Sequence, residues 1–581
     1  MMNRRELLLS AAAMPVVAAA RPLLVAADLE VPPLDASKIK PSDFSDADLD
    51  MPFALSHFAR LANSVLMDGP NRGFITLSVW RGTSQLHPYN ARIMESILTM
   101  AWFYTAPQKW NQYRGNAALR TRLEAALDYW CRLQSPDGKF SEYGPQQWNL
   151  AATAFAVKFI SEALRVLKDG PPISADIHQH VIDGCRKALR VVLYDPDLMS
   201  HGRTYSNQYT NIFAGGAAFL AINPDAELEG RLYERTNVIG SELQSPAGYM
   251  YEKDGPDLGY TLNTHHENLQ MAYHYWRKTP LAEVLVKEED RFSVWLSYNL
   301  LPEPGKNFFV ANRSIESRQK HAIFDPIDTP LADRCTIMRA FATPPDVRAE
   351  QTRAAREKLE KQWPQVDPLQ VGEFSALSPY LFLQRAHYAW HPTAEQMTVA
   401  RNMCRPLKEQ SFIEQLKDTR LNMIFTYARR PKYYAAFAST TKPASEQERF
   451  GLTFVWTPEK GVLLQSQTSG VETAWGTSDG DAPPGEAGSF EAKYLDGGAA
   501  VCYPIKDGQK HVAFGQDTIR VTIERTGSIL ERVPVFDPNC VVSQAQRTVL
   551  EQPISPVPGK TFFVVELRAA GKLEYEIQPV A

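Results

Sequence analysis

The chain lacks the signatures that settle a function at sight. Its six cysteines, Cys131, Cys185, Cys335, Cys404, Cys502 and Cys540, are dispersed through 581 residues. They form no C-x-x-C pair, and no histidine spacing typical of zinc accompanies them. Buried, unpaired thiols are the reading, with no metal site and no cofactor expected. Formal net charge is only −4 and no basic stripe appears, so nucleic acid is not expected as a partner. Beyond the first twenty residues no apolar run approaches the ~20 residues needed to span a bilayer. The length exceeds what one hydrophobic core organises, which argues for two domains or three.

What is present begins with an address label. Asn3-Arg4-Arg5-Glu6-Leu7-Leu8 opens an apolar run through Ala20, and charge returns at Arg21. Paired arginines before a short apolar core resemble a twin-arginine export signal over residues 1–27, with cleavage near Ala20 or Ala27. A periplasmic or secreted protein, with no membrane contact after cleavage, is the expectation. Residues 28–52 are rich in Pro, Asp and Ser without periodicity and read as an amino-terminal arm.

From Phe53 the pattern changes to long helices, four of which share a design: a polar or aromatic loop, an asparagine, then an apolar helix. The asparagines are Asn90, Asn149, Asn211 and Asn268, spaced by 59, 62 and 57 residues. That period fits a helical hairpin with its loops. More polar amphipathic segments, such as 119–133 and 228–243, lie between them. A closed ring of hairpins requires this alternation, because inner helices are buried all round and outer ones face water. Each asparagine also suits a helix N-cap. The fold class expected is α+β multidomain: an incomplete toroid of five or six (α/α) hairpins over 53–434, then an antiparallel β-sandwich over 435–581. A β-hairpin is expected to interrupt the helices near 307–324.

The polar loops gather at one mouth of such a ring. The densest, 254–268, holds Asp254, Asp257, Tyr260, His265, His266, Glu267 and Asn268. Beside it should lie 205–211, with Asn207, Tyr209 and Asn211. The loop 140–148 adds Glu142 and Tyr143, and Gln147 and Trp148 for stacking on sugar rings. Arg313, Arg318 and His321, on the interrupting hairpin, could close the cleft from above. Trp80 and Arg81 fall at the rim. Arg420, Tyr427, Arg429, Arg430 and Tyr433 read as an interface between domains.

Tyrosine, histidine, amide and arginine together suit elimination across a uronic acid. The C5 proton is weakly acidic, so an amide, imidazole or arginine must neutralise the carboxylate and stabilise the developing enolate. A Tyr or His then takes the proton, and a Tyr or His protonates the leaving O4. Asn207 or Asn211 could neutralise; Tyr260, His265 or His266 could move the protons. Gln147, Trp148, Tyr209, Asn268, Arg313, Arg318 and His321 are the expected substrate contacts. A glycoside hydrolase would instead use paired carboxylates among Glu142, Asp254, Asp257 and Glu267. A non-catalytic glycan-binding protein would need only the aromatics.

A toroid followed by a β domain, with an asparagine loop and then an Asp-Gly loop ending in tyrosine, resembles the heparinase II/III-like and alginate-lyase group of polysaccharide lyases. The resemblance spans about residues 50–570. It implies neutralisation by Asn207 or Asn211 and places Tyr260 at the tyrosine of the Asp-Gly loop. The Asn-His pair common in that group is absent, since Gln208 follows Asn207 and Ile212 follows Asn211.

Overall fold

The computed structural model describes residues 29–579 except 254, 319, 365–376, 443, 444, 446, 468–472, 479–485, 487 and 488. The expected export signal and Asp254 therefore lie outside the described residues. The amino-terminal arm runs in short 3-10 turns and is pinned to the first helix by a reciprocal pair of 2.9 Å hydrogen bonds between Val31 and Asn63.

Through residue 362 the α-helices are α1 (Met51–Asn63), α2 (Ile97–Thr105), α3 (Ala117–Leu133), α4 (Leu150–Lys168), α5 (Ala175–Tyr194), α6 (Pro196–Thr204), α7 (Ser206–Ile222), α8 (Ala226–Asn237), α9 (Leu258–Thr261), α10 (Glu267–Trp276), α11 (Leu281–Asn299) and α12 (Pro345–Gln362). Helices α2, α4, α7 and α10 pack successively as an inner ring, and α1, α3, α5, α8 and α11 surround them. In α4 every residue from Leu150 to Leu164 is buried, whereas α5 buries only one stripe, including Val181, Cys185, Leu189 and Val192. That difference is the two-layer pattern read from the sequence. Inner helices approach closely: a Cβ on Gly215 of α7 would fall 2.6 Å from the Lys158 backbone nitrogen of α4.

The repeated asparagines divide into two kinds. Asn90 and Asn149 are N-caps, accepting from Arg92 N at 3.0 Å and Ala152 N at 2.8 Å. Asn211 and Asn268 are not caps, because their helices begin earlier. Asn211 bonds back to Asn207 O at 2.8 Å, and Asn268 donates to Thr210 Oγ1 at 3.0 Å. Both are wholly buried within the ring.

Short strands β1 (Phe140–Ser141) and β2 (Trp148–Asn149) pair beside α4. Strands β3 (Leu300–Pro302), β4 (Phe309–Ala311) and β5 (Ile323–Phe324) form a small antiparallel sheet after α11. The large sheet starts with β6 (Phe412–Asp418), β7 (Met423–Arg430), β8 (Tyr433–Thr440), β9 (Gly451–Thr457) and β10 (Gly461–Gln465). Two of its strands thus precede the boundary placed at 435. The reason lies in β7, which buries both faces and so presents a continuous apolar run in place of alternation. Along β8, Tyr434, Ala436 and Ala438 face the helical core, while Tyr433, Ala435 and Phe437 face a second core. The strand is a middle layer. The second core is closed by β13 (Ala500–Ile505), β14 (Gly508–Phe514), β15 (Ile519–Val535) and β18 (Phe563–Ile577), with β11 (Gly476–Ser478), β12 (Lys493–Leu495), β16 (Val541–Ser543) and β17 (Gln546–Glu551) at its edges.

Candidate active site

The inner helices deliver their amino-terminal loops to a cleft of about 640 Å3. Its wall includes Asn207 and Gln208 from the start of α7, Tyr260 from α9, Arg318 from the segment between β4 and β5, and Arg81, Arg92, Glu142 and Tyr143 from the earlier loops.

Two short devices set Tyr260 in place. Gly255 carries φ +141°, a conformation that disfavours a side chain, and a Cβ there would lie 2.5 Å from a Glu448 oxygen. The chain can then turn so that Asp257 caps α9. Asp257 Oδ1 accepts from Tyr260 N at 2.7 Å, and Oδ2 accepts from Arg318 N at 2.5 Å. One carboxylate therefore ties the tyrosine's helix to the arginine's loop, and the Arg318 guanidinium lies 4.5 Å from the centre of the Tyr260 ring. A five-residue π turn, Leu262–His266, joins α9 to α10. Such turns shift the face a helix presents.

Behind this wall Glu252, buried, accepts from Arg318 Nη1 at 3.0 Å and from the Asn207 backbone. Burial pushes its carboxyl up to about 8, with Asp257 adding and Arg318 opposing. Ser206 donates to Tyr251 O at 2.7 Å, so its oxygen is left to accept from His265 Nε2 at 3.1 Å. His265 Nε2 also lies 3.1 Å from Glu252 Oε1, out of line for a hydrogen bond. Burial, with a smaller contribution from His266, drives the His265 imidazole down to about 3. Asn207 is 2% exposed, and its side-chain Oδ1 has no hydrogen-bond partner among the described residues.

The far wall is basic and aromatic. Arg81 pairs with Glu142, Arg92 pairs with Glu95, and Arg92 lies 3.7 Å from Glu142. The Arg92 guanidinium sits 3.6 Å from the Phe155 ring centre. Glu267 is held by Lys158 at 3.3 Å.

Of the residues expected to carry chemistry, Asn207 and Tyr260 meet in this cleft, and Arg318 joins them. Asn211 and His265 are wholly buried and do not line it, and His266 lines a neighbouring chamber. Three expected substrate contacts are corrected because the fold consumes them. Tyr209 Oη accepts from Arg235 at 3.1 Å, Asn268 accepts from Lys158 at 3.0 Å, and buried Arg313 donates to His321 O. Gln147 and Trp148 stand in solvent off the cleft; Glu142 and Tyr143 of the same loop reach it. His321 joins the neighbouring chamber. Arg92, Tyr380 and Glu252 went unforeseen. Arg92 and Tyr380 come together across 288 residues, at 3.4 Å, which no local pattern announces.

All six cysteines are free, four of them buried. Among the described residues no group of three His, Cys, Asp or Glu side chains could hold a metal ion, and no helix is long and apolar enough to cross a membrane.

The molecule is thus an α+β multidomain protein with an (α/α) toroid leading into an antiparallel β domain, and its candidate site opens at the toroid mouth. No protein-family model matches the chain, and no curated protein does. Among solved structures it is similar to the heparan sulfate lyase HepC from Pedobacter heparinus, at 11% identity over 96% of this chain and 87% of that one, TM-score 0.47. It is also similar to a chondroitin AC lyase variant from Streptomyces coelicolor A3, at 10% identity over 93% and 79%, TM-score 0.49.

Proposed function

We propose that the protein is a polysaccharide lyase that cleaves a uronic-acid-containing glycan by β-elimination. The observation that carries this reading is the Asn207 amide, buried with an unpartnered oxygen in the same cleft wall as Tyr260. An unmet buried acceptor costs about 1–3 kcal/mol. A uronate that takes up a solvent proton as it binds satisfies both ends of the amide, its carbonyl oxygen accepting from Nδ2 and its O–H donating to Oδ1. That contact neutralises the uronate and makes its C5 proton removable.

Tyr260 Oη takes the C5 proton as its own phenolic proton passes to O4, and the C5–H electron pair becomes the C4=C5 double bond while the C4–O4 bond breaks with its pair on O4, so the phenol is regenerated. Arg318 places positive charge beside the developing enolate. His265 acts from behind, through Ser206, on the start of the helix that carries Asn207.

Glu142 and Glu267 also line the cleft, which is what a glycoside hydrolase would require. Each is already ion-paired, Glu142 with Arg81 and Glu267 with Lys158, and Asp257 is occupied as a cap. The elimination reading therefore accounts for more of the site.

The test is ultraviolet absorbance of a new unsaturated uronate during incubation with a panel of uronate polysaccharides. Product is expected from the wild type, none from Tyr260→Phe, and a rate about 10²–10³-fold lower from Asn207→Ala. Reducing ends without that absorbance, lost in Glu142→Gln, would establish hydrolysis instead. Binding without either product would leave a glycan-binding protein.

A further inference from the structure

Strand β17 lies at an edge of the large sheet. It pairs with β18, and among the described residues nothing pairs with its other side. All six of its residues are exposed, so the strand projects past the sandwich with both faces in water. Val542, Val549, Leu550 and Ile554, four of the large apolar side chains left exposed, fall in this one stretch of chain. Such an edge is a template for another strand, and proteins usually blunt it with lysine, proline or a bulge. The segment Gln546–Glu551 contains neither lysine nor proline, and its register against β18 runs without a bulge from Gln546↔Arg568 to Glu551↔Phe563.

The ladder decides which backbone groups are left over. Gln552 N donates to Phe562 O at 2.8 Å, and antiparallel pairs alternate between bonded and non-bonded. Leu550, Thr548 and Gln546 therefore bond to β18, while Arg547, Val549 and Glu551 turn N–H and C=O outward. Pro534 of β15 gives an independent check. It has no N–H to offer β18, and it stands opposite Val564, whose backbone bonds are spent on Leu550.

The outward residues make a self-complementary edge. A second copy, antiparallel about a twofold axis at Val549, sets Val549 opposite Val549 and Arg547 opposite Glu551 on both sides of the axis. Each is the bonded kind of pair and exchanges two hydrogen bonds, and opposite charges meet at both ends. Arg547 Nη2 donates to Pro538 O, which holds the guanidinium beside the strand. A slip of one residue would face bonded against non-bonded positions and lose the match.

We propose that β17 is a dimer interface, through which two copies of this chain join edge to edge in that register to make one continuous sheet. A strand pair of this length buries less than about 1,200 Å2, so the association is reversible and micromolar, not obligate.

The test is sedimentation velocity on the full chain over a wide concentration range, with monomer passing to dimer expected. Val549→Pro removes an outward N–H and none that β18 uses. It is expected to leave the melting midpoint in place and to weaken the dimer at least about tenfold. Arg547→Glu sets like charges opposite each other and should weaken it as much. Adding Glu551→Arg to that variant restores opposite charges and is expected to restore the dimer, a recovery that damage to the fold could not produce. A wild type that stays monomeric, a dimer untouched by Val549→Pro, or no recovery in the double variant would overturn the proposal. A monomer whose segment 546–551 is protected from hydrogen exchange would overturn it in favour of cover by another part of the same chain.

Discussion

At Glu252 a buried carboxylate stands 3.0 Å from Arg318 and directly behind the candidate catalytic residues. Its pKa near 8 lies above the unfolded value of about 4.3, so between those limits the folded protein holds the extra proton and stability falls as pH rises. His265 acts oppositely. Its value near 3 lies below the unfolded value of about 6.5, so its contribution grows with pH up to about 6.5 and is then complete. The two oppose each other below pH 6.5, and Glu252 alone remains between 6.5 and 8. Thermal melts of wild type and Glu252→Gln at those two pH values isolate it. The wild type is expected to lose stability relative to the variant at the higher pH, by at most ~1.4 kcal/mol per pH unit. A difference that does not change with pH would mean that Glu252 is ionised throughout. None of this was legible in the sequence, where Glu252 sits in an unremarkable stretch two residues before the loop that was singled out. Tyr260 and Asn207 were legible, because phenol and amide types recur at the same place in successive hairpins.

The element that matters most to the site is the four-residue helix α9, too short to be stable without its cap. Asp257 supplies that cap and also fixes the Arg318 backbone. Asp257→Ala is expected to cost about 1 kcal/mol of stability from the cap alone. Its effect on turnover should be larger, about 10²-fold, because Tyr260 and Arg318 lose their common anchor. Steady-state kinetics and a melt on one preparation separate the two effects, and a fall in activity no larger than the stability loss explains would show that the helix holds its place unaided. Periodicity announced the surrounding helices, since α4 and α7 are buried on nearly every side and α5 on one stripe. It could not locate helix starts: α7 begins five residues before Asn211, so a residue taken for a cap is an interior side chain. The π turn was hidden for the same reason, since residues 254–268 read as a polar loop leading into the helix after Asn268.

Across the whole molecule, the toroid and the β domain are joined by one hydrophobic core that includes Phe425, Tyr427, Tyr434 and Trp456 together with the inner helices. Buried polar contacts run along the seam. Tyr427 donates to Asn299 at 3.1 Å, Tyr434 to Tyr298 O at 2.6 Å, and Trp456 to Pro302 O at 3.0 Å. Asp418 of β6 accepts from Tyr249 at 2.8 Å and from Ser245. The sequence predicted an interface in this region from its arginines and tyrosines. It could not show that β7 belongs to both layers, because a strand buried on two faces carries no alternation. Multidomain chains often unfold in stages. Here separation would expose aromatic side chains and strand buried hydroxyls on both sides, so neither part is expected to persist without the other. Calorimetry of the protein should therefore show one transition. Asp418→Ala strands the Tyr249 and Ser245 hydroxyls at about 1–3 kcal/mol each and should lower that single midpoint as a whole. Two resolved transitions in the wild type, with only one moved by the substitution, would mean that the seam is a contact between independent domains and that the sheet does not brace the site at the toroid mouth.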